Sequence, residues 1–532
     1  MRPLDQPGRS PVHSMHGMVC TSQTLASDVG LDVLKDGGNA MDAAIAACAM
    51  QCVVEPGMTG IGGDCFAMLS AGSGTPIAFN GSGRAPGGAT LEALKARGVT
   101  SIERASPHSV VVPGSIDAWT RLHADHGRMP FAELLAPAIR TAREGYPLSS
   151  RIAVDTAKQV DFLQQHHPRA AALYLDNGTA PAVGSVRVLP DLADTLEVIA
   201  REGREGFYRG ALADGMVDEL QSLGGLHTLD DFARVSGDYV TPIAIPYKDK
   251  TIWECPPNGQ GLIALLLLRL ADRLDLAAKG PLDVDRIHLE IEACRQAYRV
   301  RGDRLADPDQ AEVSVESILS DDHAAALIAA IDRNQATVPP VDVRLPEHRD
   351  TVYISVVDKD RNCVSFINTL FDMFGSGITS RNGITLTNRA QGFSLDPASP
   401  NVIAPHKRPL HTIIPALATR GDDHQVELVF GVMGGQYQAM GHLQFLSRYL
   451  ADGLDLQEAM DAPRFMPDPF TGVVEVESGI DPDSRSALSA RGHQIELAAT
   501  PIGGSQAIAI SRDSRVLTGA SDPRKDGCAS GY

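Results

Sequence analysis

Residues 1–20 contain no apolar run, so neither a signal peptide nor a membrane anchor is expected. The most apolar helical stretch, 262–270, is far too short and too closely flanked by charge to span a bilayer. Positive charge is also scarce: 47 Lys and Arg stand against 66 Asp and Glu, a formal charge of −19 over 532 residues. That balance argues against nucleic acid or an anionic membrane as a partner. The eight cysteines show no CxxC or zinc-finger spacing, which fits buried thiols in a reducing compartment, and a cytoplasmic protein is expected. Cys48 and Cys52, four apart on a predicted helix, read as one core face.

Catalytic signatures are missing as well. HExxH, P-loop, GxSxG and SxxK are all absent, which removes the common zinc, phosphoryl-transfer and serine-hydrolase readings. Triads with distant partners stay open. His123 and His126 share a helix face but have no third ligand nearby, so no metal and no cofactor are expected. Gly60-Ile61-Gly62 does not serve a nucleotide, because that motif needs a strand before it and a helix after it. Here a helix (39–50) precedes and a strand (65–69) follows. Close backbone approach is the expected use of these glycines.

What is present changes character along the chain. Helical periodicity covers 24–36, 39–50, 131–145 and most of 155–305, with a strand and turn at 247–261. Residues 307–350 are rich in Asp, Glu, Pro and Arg and read as a linker. Beyond it, strands and glycine turns dominate. The switch falls at Thr351-Val352-Tyr353-Ile354-Ser355-Val356-Val357, a β-branched and aromatic strand. A turn at 358–362 and a return strand at 363–370 follow it. If that turn has an odd number of loop residues centred on Asp360, facing positions sum to 720 and Thr369 lies across from Thr351; an even loop would shift the register by one.

A threonine hydroxyl needs a base, and the nearest is its own α-amino group, of ordinary pKa about 7.7–8.0. That amine exists only if the Asp350–Thr351 bond is cut. The cut can be self-catalysed by an N-to-O acyl shift followed by hydrolysis of the ester. The same geometry would then attack an external amide, with Gly434 and Gly435 offering backbone N–H donors to the oxyanion and Thr369 holding the Thr351 rotamer.

These features together resemble the gamma-glutamyltransferase family of N-terminal-nucleophile hydrolases. The resemblance rests on Gly38-Asn39-Ala40-Met41-Asp42-Ala43, Gly60-Ile61-Gly62-Gly63, Val112-Pro113-Gly114 and Thr351 to Asp358. It continues through Phe374-Gly375-Ser376-Gly377, Lys407-Arg408-Pro409-Leu410, Met433-Gly434-Gly435, Asp461-Ala462-Pro463-Arg464-Phe465 and Ala520-Ser521-Asp522-Pro523-Arg524. It implies an α+β fold, a four-layer αββα sandwich, built from a precursor that cleaves itself into a large subunit (1–350) and a small subunit (351–532). The two remain together as a heterodimer, with further pairing left open. Thr351 would be the nucleophile, Thr369 its supporting hydroxyl, and Gly434 and Gly435 the oxyanion donors.

The family's glutathione-binding residues are not matched. Ser82 stands where the carboxylate-binding arginine is expected, Phe371 where an asparagine is, Gly392 where the acid for the α-amino group is, and His411-Thr412 where two serines are. Arg84, Arg389, His411 and Thr412 are the substrate-binding candidates. The two arginines suit a small-molecule amide whose acyl group carries a carboxylate but no ammonium. A true γ-glutamyl hydrolase or transpeptidase with a rebuilt pocket is the second reading, and an unprocessed binding protein the third.

Overall fold

The computed structural model describes residues 8–337, 351–469 and 471–532. Asp350 and the rest of 338–350 lie outside the described residues. Two seven-stranded antiparallel sheets form the centre. One runs Val12–Ser14, Leu517–Ser521, Gly504–Ile510, Gln425–Met433, Ala416–Arg420, Lys250–Glu254, Ile243–Tyr247. The other runs Cys528–Gly531, Met18–Thr21, Val352–Val357, Cys363–Thr369, Asp64–Ser70, Ile77–Gly81, Asp238–Val240.

The strand Val352–Val357 is buried along its whole length, and its side chains divide by the two-residue period of a strand. Val352, Ile354 and Val356 enter the core beneath the helices Thr24–Lys35 and Ala40–Val54. Tyr353 and Val357 face Phe66, Ile413, Leu417 and Val429 between the sheets. A further core lies on the other face of the first sheet, where Leu428 and Phe430 meet the helices Gly261–Arg273, Val284–Arg304 and Gln438–Leu446. The apolar stretch 262–268 is wholly buried there. Among the described residues, no helix is long and apolar enough to cross a membrane.

Local chemistry explains the elements. Asn39 caps Ala40–Val54 by accepting the Met41 and Asp42 N–H groups, while the Asp42 carboxylate accepts the Asn39 N–H at 3.0 Å. Cys48 and Cys52 are buried on that helix, as its spacing predicts. In the hairpin turn, the Asp358 carboxylate accepts the Asp360, Asn362 and Ala40 N–H groups at 2.9, 3.0 and 3.1 Å. The loop holds five residues, 358–362, and Val352 pairs with Asn368, giving the register that sums to 720.

Two sequence expectations change. The stretch 307–337 is not an open linker: helices Val315–Ile318 and Asp321–Ala329 pack Ile318, Ala324 and Leu327 into the second core. Its charged composition hid apolar residues at helical spacing. Nor do the strands gather after residue 350, for each sheet takes strands from both sides of it.

Gly63 shows why the glycine loop is glycine. A Cβ there would sit 2.0 Å from the Thr369 carbonyl oxygen, and the Gly63 carbonyl itself accepts Gly114 and Ser115 N–H at 3.0 Å. Gly63→Ala is expected to destabilise the protein by on the order of 3 kcal/mol, read as a lowered denaturant midpoint. An unchanged midpoint would show that the approach is not as close as this.

Candidate active site

Thr351 immediately precedes its strand and Thr369 ends the return strand. The register brings their hydroxyls together with Oγ1 atoms 3.3 Å apart, both side chains fully buried. Thr369 Oγ1 also accepts the Phe371 N–H at 3.0 Å, which leaves its proton available to Thr351. Phe371 holds a positive φ of 81°, strained for an aromatic residue, and its ring lies beneath Arg389, with Cζ 3.9 Å from the ring centroid.

Arg389 is the buried cation of the site. It has no exposure; its Nε donates to Asp64 Oδ2 at 3.3 Å and its Nη1 to Thr412 Oγ1 at 3.2 Å. Nη2 has no hydrogen-bond partner among the described residues. Burial pulls the guanidinium down to about 10 against the attraction of Asp64, so it stays charged at neutral pH.

Asp64, which the sequence reading passed over, gathers this cluster. It opens its strand directly across from Thr369. Its Oδ1 accepts the Gly83 N–H at 2.7 Å, and its Oδ2 receives His411 Nε2 at 3.0 Å as well as Arg389. His411 Nδ1 accepts the Ile413 N–H at 3.3 Å, so Nε2 is the nitrogen that carries the proton. A carboxylate opening a fully buried strand was the available signal, since such a charge requires partners.

The Gly434-Gly435 turn lies past the end of the strand Gln425–Met433, with φ of 126° and 56°. The Gly434 carbonyl accepts the Tyr437 N–H at 3.0 Å, so the Gly435 N–H, antiparallel to it in the same trans peptide, points the other way. Side chains pin this turn from behind. Gln260 Nε2 donates to the Gly435 and Thr412 carbonyls at 3.0 and 2.8 Å, and Arg301 Nη1 donates to Gln260 Oε1 at 2.7 Å. Tyr298 donates its hydroxyl proton to the Gln436 carbonyl. None of these three was singled out from sequence.

Arg84 is placed differently from expectation. Its guanidinium faces Asp238 at 3.3 Å, Asp309 at 3.5 Å and Asp307 at 3.9 Å, and donates to the His406 carbonyl. Three carboxylates, of Asp238, Asp307 and Asp309, surround it, whereas Arg389 is the cation beside Asp64 and Thr369. His123 is occupied too, its Nε2 bonding the Met129 carbonyl at 2.7 Å. A different set, His288, Glu292 and His493, has the donor types of a metal site. Its atoms are already engaged: His288 Nδ1 bonds His493 Nε2 at 2.8 Å, and Arg295 pairs with Glu292 at 2.6 Å.

A cleft of about 550 Å³ opens beside the cluster, lined by Asp372 and Met373 just past Phe371, by Gln391 just past Arg389, and by Gly503. Gly503 Cα would lie 2.8 Å from a Cβ placed on Gly434, so the cleft reaches the glycine turn.

The family model described as gamma-glutamyltranspeptidase matches residues 26–532. The glutathione hydrolase-like YwrD proenzyme of Bacillus subtilis is 34% identical over 524 residues, covering 97% of this chain and 98% of its own length. The oxamate amidohydrolase proenzyme of Klebsiella pneumoniae is 35% identical over 533 residues, covering 98% and 99%. Among solved structures, cephalosporin acylase from Bacillus halodurans matches with a TM-score of 0.90 at 37% identity, covering 100% of this chain and 99% of that one.

Asp64→Asn keeps the shape of the side chain but leaves Arg389 as an uncompensated buried charge. A loss of about 3–5 kcal/mol in unfolding free energy is expected, measured by denaturant unfolding. A variant as stable as the parent would mean that Asp64 is not the counter-charge.

Proposed function

The chain belongs to the gamma-glutamyltranspeptidase family, and on that premise we propose a self-processing amidohydrolase that cleaves monoamides of dicarboxylic acids with Thr351 as nucleophile. It is an enzyme of the N-terminal-nucleophile hydrolase type. In the proposed arrangement, residues 1–350 and 351–532 are the two subunits and the sheets stack as the inner layers of an αββα sandwich. The three cores, one between the sheets and one on the helix side of each, support that stacking.

Processing begins when Thr351 Oγ attacks the Asp350 carbonyl carbon. The acyl group passes from nitrogen to oxygen, and water hydrolyses the ester, leaving a carboxylate on Asp350 and a free amine on Thr351. In turnover, that amine takes the hydroxyl proton as Oγ attacks the substrate carbonyl. The Gly434-Gly435 turn receives the developing oxyanion, and the pinning by Gln260 keeps it from reorganising. The leaving amine departs with a proton, and water releases the dicarboxylate from Thr351.

The placement of Arg389 carries the choice of substrate: a buried guanidinium with one unpartnered nitrogen, close to Thr369 through Asp64. A substrate carboxylate completes its hydrogen bonding. Asp64 is not free to receive an α-ammonium, because its oxygens already accept from Gly83, His411 and Arg389. Oxamate, the monoamide of oxalic acid and named in one relative, has the expected chemistry: a carboxylate and no ammonium.

Purified protein is expected to resolve into two chains by intact mass, the smaller beginning Thr351-Val352-Tyr353. Thr351→Ala should give one chain without activity, and Thr351→Ser should keep part of both. A wild-type chain that stays whole yet turns over amides would rule out this nucleophile.

For the acyl group, kcat/KM on oxamate or a glutaryl anilide is expected to exceed that on the γ-glutamyl anilide by at least about tenfold. The reverse order would overturn the assignment of Arg389. The acidic limb of the pH profile should fall with a pKa at or below about 8, that of the Thr351 amine.

A further inference from the structure

Arg301 stands in the last turn of the helix Val284–Arg304 and has no exposure. Other buried arginines meet carboxylates: Arg286 pairs with Glu290 at 2.8 Å, Arg389 with Asp64 at 3.3 Å, and Arg464 with Asp522. Arg301 has no ion pair among the described residues, and its Nε and Nη2 make no hydrogen bond there. The negative end of the helix dipole and the face of Tyr298, 4.2 Å from the guanidinium carbon, offset part of its charge. A whole cation buried against such partial charges costs stability.

That cost is borne directly behind the glycine turn. Arg301 Nη1 donates to Gln260 Oε1 at 2.7 Å and to Gln436 Oε1 at 2.5 Å. Both amides belong to the support of the turn. Gln260 donates from Nε2 to the Gly435 and Thr412 carbonyls, and Gln436, the residue after the glycine pair, has its carbonyl held by the Tyr298 hydroxyl. An amide that accepts a hydrogen bond at its oxygen becomes a stronger donor at its N–H. Positive charge is thereby passed from the guanidinium through Gln260 to the Gly435 peptide.

We propose that Arg301 is a positioning residue for the reaction, a buried positive charge that acts through Gln260 and Gln436 to stabilise the oxyanion at the Gly434-Gly435 turn. The counter-charge that the resting fold lacks is the one that forms during the reaction. A tetrahedral intermediate brings a full negative charge to the turn, in surroundings too dry to screen it. The resting substrate carbonyl has no such charge, so the effect falls on the chemical step rather than on binding. This rests on the reading of Thr351 as nucleophile and of the glycine turn as oxyanion site.

The test follows glutaryl-4-nitroanilide per mole of processed protein. Arg301→Met, which removes the charge at similar length, should lose about 30-fold or more in kcat with KM within about threefold of the parent. Arg301→Lys, which keeps the charge without the fork, should recover at least about tenfold of that loss. A boronic acid that forms a tetrahedral anion on a hydroxyl, 4-boronobutanoate, should inhibit Arg301→Met more weakly than the parent by the factor lost in kcat/KM. Glutarate, whose carboxylates are planar, should bind both proteins alike.

Parent kcat in Arg301→Met, equal losses in the Met and Lys variants, or a boronate that binds both proteins alike would overturn the role. Should Arg301→Met not fold or process, Arg301→Lys is set against Gln260→Leu, which keeps the charge and cuts the relay. A Lys variant near the parent and a Leu variant slowed in kcat alone would support the role, and any other order would overturn it. A parent protein that cleaves no amide overturns the functional reading and this role with it, whereas an active parent matched by Arg301→Met overturns the role alone.

Discussion

Burying a guanidinium without exposure is costly unless a counter-charge meets it, and at Arg389 that counter-charge is the Asp64 carboxylate. Desolvation and pairing compete at Arg389: burial pulls its pKa down to about 10, and Asp64 limits the fall. The outcome is a cation that persists at neutral pH with one nitrogen still to be satisfied. The same carboxylate holds His411 in one tautomer and ties down the loop at Gly83. Because Asp64 stands across from Thr369 in the sheet, the electrostatic centre and the hydroxyl pair are held in one rigid frame.

The frame is rigid because both sheets are covered on both faces. A strand such as Val352–Val357, buried along its whole length, cannot slip by one residue without exchanging its two sets of side chains between cores. The glycine turn at 434–435 is fixed by another route, through Gln260, Arg301 and Tyr298. The hydroxyl pair and the glycine turn are thus anchored independently of each other, and the proposed stabilisation of a developing charge would draw on both.

The hairpin was legible in the sequence because its geometry is local: five loop residues determine every facing pair up to Thr369. The glycine loop was legible for a similar reason, since a helix before it and a strand after it rule out a dinucleotide fold. Asp64, Gln260 and Arg301 were not, because their partners lie far along the chain and each reads singly as an ordinary polar residue. The neighbours of Arg84 were not legible either, since a cation on a loop looks the same whether it meets a substrate or three aspartates. The stretch 307–337 misled through composition: a few apolar residues at helical spacing outweigh many charges when they reach a core.

The sharing of strands between the two parts of the chain bears on how long the protein lasts. Met18–Thr21 pairs directly with Val352–Val357, and Asp64–Ser70 with Cys363–Thr369, so neither part owns a complete sheet. The proposed cut before Thr351 would turn one folding unit into two that would have to find each other in solution. Entropy that the intact chain surrenders once, as loop closure, would then be a concentration-dependent cost at every unfolding. A protein so cut would fold as one chain and then endure by the height of its unfolding barrier, a persistence that is kinetic in origin.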